Sequence, residues 1–166
     1  MNSGCLVLSW IVRGLGKFKK KAAVRKIINS TQARVIFIQE TKLMKLDGLV
    51  RNKICGKSNP LRVIHSPSNG GSGGIMILWD SETISISQTI VKESFIGAIG
   101  HFEGSKSNCF LINVYLPNDS EPRMEVLEEI IKTTEQINLP VIIGGDFNII
   151  REAKEKSGPK LKKKDM

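Results

Sequence analysis

Histidine occurs only twice in this 166-residue chain, tyrosine once and cysteine three times, and none of the cysteines falls in a CxxC or Cys/His pattern. A zinc site of the usual spacing is therefore excluded, and Cys5, Cys55 and Cys109, odd in number and far apart, are expected to be buried reduced thiols. No apolar run approaches the roughly eighteen residues that span a bilayer. Met1 to Trp10 lacks the basic segment and cleavage site of a secretory leader, so an intracellular protein without a membrane association is expected. Acidic residues are missing altogether from residues 1–39, which carry Arg13, Lys17, Lys19, Lys20, Lys21, Arg25, Lys26 and Arg34.

What is present is enough for one domain with a hydrophobic core, since 40% of the residues are hydrophobic. The formal charge of +9 is concentrated at the ends, with seven basic against three acidic residues after Ile150, while residues 40–150 hold ten basic and thirteen acidic residues. Cationic stretches of this kind suit a polyanionic partner through counterion release, or form an ordinary solvated surface; charge alone leaves both open.

Leu6 to Val12 forms a short apolar run ended by Gly14 and Gly16, as expected of a buried strand entering a loop. From Phe18 to Asn29 the pairs Ala23/Ile27 and Val24/Ile28 recur at i, i+4 between lysines, which predicts an amphipathic helix. A second buried strand, Arg34 to Gln39, follows, and this β-α-β order predicts parallel neighbours under a helix. The middle reads as shorter strands near 61–65, 75–79, 83–91, 95–102 and 108–115, arranged as antiparallel hairpins and meanders and punctuated by Gly70-Gly71-Ser72-Gly73-Gly74. A helix is predicted over Glu121 to Gln136, with Ser120 as N-cap, Pro122 in the first turn, and Met124, Leu127 and Ile131 on one face. Pro140 to Gly145 is another buried strand. Residues 1–150 are thus expected to be one folded unit and residues 151–166 a basic, disordered tail.

Three strands end in polar residues, where open sheets place their ligand sites. Gln39-Glu40-Thr41 follows Val35 to Ile38; a solvated strand-end carboxylate is the plain alternative. Gly144-Gly145-Asp146-Phe147-Asn148 follows Val141 to Ile143, where the glycines would let backbone approach a ligand, or an Asx-type turn would form. Asn113-Val114-Tyr115-Leu116-Pro117-Asn118 brings a phenol and an amide to a third strand end, or simply a packed tyrosine and a turn asparagine.

Together and in this order, these segments resemble the endonuclease/exonuclease/phosphatase superfamily, the fold of DNase I and the apurinic-site endonucleases. Leu8-Ser9-Trp10-Ile11-Val12-Arg13-Gly14-Leu15-Gly16 and Ser72-Gly73-Gly74-Ile75-Met76-Ile77-Leu78-Trp79 are similar to the version carried by plant non-LTR retrotransposons. The resemblance covers roughly the first 150 residues. It implies a mixed α/β (α+β) fold: an incomplete four-layer DNase I-like sandwich of two mixed β-sheets flanked by helices. It also implies Mg²⁺ as cofactor, with Glu40 as its ligand, and DNA as partner. Tyr115 and Asn118 would contact the scissile phosphate, Asp146 would orient or deprotonate the attacking water, and Asn148 would stabilise charge on the pentavalent phosphate.

Two departures qualify this expectation. The family places asparagine where this chain has Ile11, and an apolar residue can neither donate to a phosphate nor accept from a metal-bound water. The family's general-base histidine lies in a Ser-Asp-His motif, and nothing after Asn148 matches it; His65 and His101 are expected to be structural or surface residues. The resulting expectation is a C-terminally truncated, inactive remnant of a Mg²⁺-dependent retroelement DNA endonuclease. An active DNA-nicking phosphodiesterase and a phosphatase of the same fold are the alternatives.

Overall fold

A computed structural model describes residues 5–57 and 61–149. The tail expected at 151–166 lies outside them. The element order is β1 (Val7–Ile11), α1 (Phe18–Thr31), β2 (Val35–Gln39), α2 (Gly48–Cys55), β3 (Leu61–Asn69), β4 (Ser72–Asp80), β5 (Ile84–Val91), β6 (Phe95–Phe102), β7 (Asn108–Tyr115), α3 (Ser120–Ile137) and β8 (Val141–Asp146). These form two four-stranded sheets, with strand orders β1-β2-β4-β3 and β5-β6-β7-β8.

Both sheets are mixed. β1 runs parallel to β2, as the β-α-β pattern predicts, while β2 with β4 and β3 with β4 are antiparallel. In the second sheet β5, β6 and β7 form the expected antiparallel meander, and β8 joins β7 in parallel after the α3 crossover. Gly70 and Gly71 connect the paired residues Asn69 and Ser72, and Gly70 has φ +65°. A two-residue hairpin demands that left-handed backbone, which glycine adopts without a Cβ clash.

The alternation of side chains along each strand divides the core into three slabs, which makes the protein a four-layer sandwich. β2 shows this most directly because all five of its residues are buried. Ile36 and Ile38 face Val24 and Ile28 of α1 and Ile54 of α2. Val35 and Phe37 point the other way, into a slab between the sheets with Ile96, Ala98 and Leu111. Phe95, Phe110, Ile112 and Val114 form the third slab, under Ile130 of α3. An apolar run without polar alternation is what a strand covered on both faces requires.

Tertiary packing revises several expectations. On α1 only the Val24/Ile28 pair is buried; Ala23 and Ile27 face outward, and the Lys21 chain shares the buried stripe by carrying its ammonium to the Gly16 carbonyl at 2.9 Å. α2 was not foreseen. Its signal is Asp47, whose carboxylate caps the Val50 amide at 2.8 Å, followed by Val50 and Ile54 at i, i+4, a pattern only eight residues long. The N-cap of α3 is Asp119 and Ser120 is already helical. Its buried stripe is Ile130 with Val126 and Leu127. Met124 and Ile131 are 54% and 55% exposed, because Val126, Leu127 and Ile130 are the residues that pack on the second sheet. Cys55 and Cys109 are buried, but Cys5 is exposed at the approach to β1. Burial pushes the Cys55 thiol up to about 11, which keeps it protonated and inert.

Candidate active site

The two parallel strand pairs carry their C-terminal ends to the same end of the sandwich. Glu40 follows β2, Tyr115 closes β7, and Asp146 closes β8. Tyr115 and Asp146 are register partners across the parallel β7–β8 ladder. Glu40 arrives from the other sheet. Partial burial raises the Tyr115 phenol above its ordinary value, and the negative charges of Glu40 and Asp146 raise it further, so all three side chains share one electrostatic neighbourhood.

The backbone here is unusual. Among the described residues six non-glycine residues have positive φ, and four of them, Arg13 (51°), Glu40 (56°), Lys42 (54°) and Asn148 (49°), surround this site; the other two, Gln32 and Asn138, are helix C-caps. Left-handed backbone is disfavoured for residues with a Cβ, so it persists only where neighbours over-determine it. Those neighbours are visible around the Glu40 turn. Gly14 N–H donates to the Glu40 carbonyl at 2.6 Å and Leu15 N–H to the Thr41 carbonyl at 2.7 Å. Thr41 and Lys42 N–H donate to the Gly74 and Gly73 carbonyls at 2.8 and 3.0 Å. A Cβ on Gly74 would stand 2.4 Å from Thr41 Oγ1. The Gly-Leu-Gly loop and the Ser-Gly-Gly segment therefore clamp the carboxylate-bearing turn from two sides.

Gly144 and Gly145 do something other than admit a ligand. A Cβ at Gly144 would meet Phe37 Cδ2 at 3.2 Å, and one at Gly145, where φ is +142°, would lie 2.0 Å from the Val114 carbonyl oxygen. The pair lets β8 approach Phe37 of the first sheet and Val114 of β7, and the close approach holds Asp146 in place. Asp146 Oδ1 accepts from Asn148 N–H at 3.0 Å, the Asx-type turn anticipated as an alternative, and Asn148 Nδ2 donates to the Leu116 carbonyl at 2.6 Å. Asn118 is exposed beside it.

Residues without an assigned role also join the site. Lys42 Nζ lies 3.1 Å from Glu40 Oε1. Arg123 of α3 donates to the carbonyls of Asn118 at 2.7 Å and Asn148 at 3.0 Å, tying the loops after β7 and β8 to one guanidinium. Neither has a sequence signal beyond its charge and its place near a strand-end motif. Ile11, 38% exposed, ends β1 opposite Gln39 and presents a hydrocarbon side chain at the rim.

The histidines lie elsewhere. His101 pairs with Asn108, at the end of β7 remote from Tyr115, and its Nδ1 is 3.0 Å from Asn108 Oδ1. His65 sits on the edge strand β3, where burial lowers its pKa and a backbone hydrogen bond at Leu43 partly offsets this. Among the described residues no three His, Cys, Asp or Glu side chains gather closely enough to form a protein-only metal cage. A single carboxylate in a polar rim suits a hard divalent cation that keeps most of its waters. Lys42 at Glu40 shows that this position already balances a positive charge.

Comparison with known proteins places the fold. The coordinates superpose on a humanised D. rerio TDP2 with TM-score 0.67 and 18% identity, covering 89% of this chain and 63% of that one. The endonuclease domain of TRAS1, a telomere-specific non-LTR retrotransposon, matches with TM-score 0.63 and 19% identity over 87% of this chain and 61% of that one. The AP endonuclease LMAP from Leishmania major gives 0.58 and 17% over 85% and 54%. The chain thus spans less than two thirds of the length of each of these structures. No curated protein sequence matches it. The sequence does match a family profile over residues 8–164, and the chain belongs to the endonuclease/exonuclease/phosphatase family.

Proposed function

We propose that this chain is an inactive remnant of a Mg²⁺-dependent DNA endonuclease of the plant non-LTR retrotransposon type, one that keeps a phosphate-directed site and has lost turnover. The observation that carries the reading is the convergence of Glu40, Tyr115 and Asp146 from two sheets, with the Asp146–Asn148 turn beside them. Glu40 would hold the metal, which when bound supplies Lewis acidity to phosphate oxygens. Tyr115 and Asn118 are assigned to the scissile phosphate. Asp146 would orient the attacking water, and Asn148 would stabilise charge on the phosphate.

DNA is the preferred partner because the cationic segment lies next to the site. Gly14 bonds to the Glu40 carbonyl, Arg13 lies in the same loop, and Lys20 Nζ reaches the Arg13 carbonyl at 2.5 Å. Lys17 and Lys19 stand exposed at the start of α1. Another D. rerio TDP2 structure in the same fold contains a single-strand DNA product. Loss of turnover is inferred from Ile11 at the rim, because loss of a preorganised polar group typically lowers a rate by about a hundredfold or more. No helix among the described residues is long and apolar enough to cross a membrane, and an intracellular location is part of the proposal.

The test is conversion of supercoiled plasmid to nicked circle by the folded chain in Mg²⁺ and in EDTA, with Glu40→Ala and Asp146→Ala as controls. The expected outcome is no metal-dependent nicking. Nicking that both substitutions abolish would establish the active endonuclease instead, a reading favoured by the intact Asp146–Asn148 turn. Turnover of a small phosphate ester without nicking would point to the phosphatase reading.

A further inference from the structure

Asn113 and Gln39 are fully buried polar residues that no role above uses. Asn113 belongs to β7 in the second sheet, two residues before Tyr115, and its amide enters the first sheet. Its Nδ2 donates to the Met76 carbonyl at 2.8 Å and to the Ile38 carbonyl at 3.2 Å. Ile38 and Met76 are the last paired residues of the β2–β4 ladder, so the amide sits where that ladder ends, just before Glu40. Gln39 Nε2 closes the contact, donating to Asn113 Oδ1 at 2.7 Å and to Ser9 Oγ on β1 at 3.1 Å. β1, β2, β4 and β7 are therefore joined by two side chains inside an otherwise apolar slab.

We propose that Asn113, acting with Gln39, is a positioning residue: a buried amide clamp that fixes the Glu40 turn of the first sheet against the Tyr115–Asp146 edge of the second. Hydrophobic contact between sheets is non-directional and tolerates sliding, whereas the three hydrogen bonds that cross from Asn113 to the first sheet do not. Gln39 Oε1 alone of these amide atoms has no partner, and the bonds that are made tie the relative position of the sheets to this one arrangement. The inference rests on the proposed function only for its metal arm.

Tyr115 is the only tyrosine in the chain, so the alkaline difference spectrum reports one phenol, and that phenol responds to Glu40 from across the sheets. The variant is Gln39→Met/Asn113→Leu, which replaces both amides by apolar groups of similar shape, so that neither is left without its mate while Ser9 Oγ and the Ile38 and Met76 carbonyls lose a donor. Glu40→Gln, which removes the charge without moving the turn, sets the scale. The double variant is expected to unfold cooperatively, to titrate Tyr115 downward by an amount comparable with Glu40→Gln, and to bind Mn²⁺, followed by electron paramagnetic resonance, about tenfold more weakly. A folded double variant whose Tyr115 titrates like the parent overturns the clamp. If the titration moves but the parent chain binds no Mn²⁺, the clamp stands and the metal reading fails. If the double variant does not fold, Asn113→Ala alone decides, because it removes both donors that reach the first sheet and is the smaller change; a folded Asn113→Ala with unshifted Tyr115 also overturns the proposal.

Discussion

Lys42 Nζ stands 3.1 Å from Glu40 Oε1, so the carboxylate assigned to the metal already has a cation of its own. The two charges lie two residues apart on a turn in which both have left-handed backbone. The lysine chain is 41% exposed and its ammonium can leave for solvent, which makes the pair a competitor of a divalent ion. Lys42→Met is expected to tighten Mn²⁺ binding by about twofold to fivefold, the range set by a partly exposed ion pair. Titration calorimetry reads the change, and unchanged or weaker binding would show that the ammonium does not compete.

Ile11 invites the reverse experiment. It ends β1 beside Gln39 and is exposed at the site rim, so an amide there faces solvent and phosphate and not the core. Ile11→Asn is expected to leave the thermal midpoint nearly unchanged and to raise Mg²⁺-dependent plasmid nicking above the parent's, by about a hundredfold if the amide is preorganised. No gain in rate would show that an amide at this position does not restore turnover.

The two glycines before Asp146 differ in what they tolerate. Gly145→Ala places a Cβ 2.0 Å from the Val114 carbonyl oxygen at φ +142°, a clash with backbone that β8 can relieve only by unpairing from β7. A loss of about 3 kcal/mol or more in urea denaturation is expected. Gly144→Ala meets the Phe37 ring edge at 3.2 Å, which a small ring shift accommodates, and the expected loss is about 1–2 kcal/mol. Equal effects would contradict the distinction between backbone and side-chain contact.

Asp80 is buried and anchors the opposite end of the sandwich. Its carboxylate meets Arg34 at 2.6 Å and accepts from Glu82 N–H and the Thr83 hydroxyl at 2.9 and 3.2 Å. Asp80→Ala strands three donors and is expected to reduce stability by about 3 kcal/mol. Arg34→Met leaves the carboxylate its other two partners, and the Arg34 side chain is 52% exposed, so a smaller loss is expected in the same chemical denaturation assay.

His65 and Tyr115 contribute to the pH dependence of stability on opposite sides. The folded pKa of His65 is depressed by burial, so its contribution is present above the ordinary imidazole value near 6.5 and is lost as pH falls through the depressed folded value. The folded pKa of Tyr115 is raised, so its contribution is present below the ordinary phenol value near 10 and is lost as pH rises through the folded value. The thermal midpoint is therefore expected to fall on both sides, and His65→Gln should flatten the acid limb alone. An unchanged acid limb in that variant would assign it to other groups.

The alternation and period of apolar residues were enough to find the strands and the two longer helices, because a strand covered on both faces must be continuously apolar and a covered helix must repeat near every 3.6 residues. Glu40 and Tyr115 were legible for a related reason, as polar residues that end buried strands, whereas the strand before Asp146, expected to be buried, is an edge strand with Val141 and Ile143 42% and 43% exposed. Which residues of a helix stripe meet the sheet was not legible. Met124 and Ile131 keep the same spacing as buried positions, and only the docking of α3 through Val126, Leu127 and Ile130 turns them outward. α2 escaped because eight residues give barely two turns of period. Gly144 and Gly145 read as room for a ligand, but the contacts that require them come from Phe37 and Val114, which are distant in sequence.

The sequence by itself determined which segments form strands and the two longer helices, and the identity of the strand-end polar residues. The tertiary structure alone decided that the two sheets bring those ends together, that Asn113 and Gln39 bridge them, and that Lys42 and Arg123 fill out the site. The reason is physical: periodicity is a property of one segment and its solvent, whereas a site made of groups from two sheets depends on the relative placement of surfaces that meet only once the chain has folded.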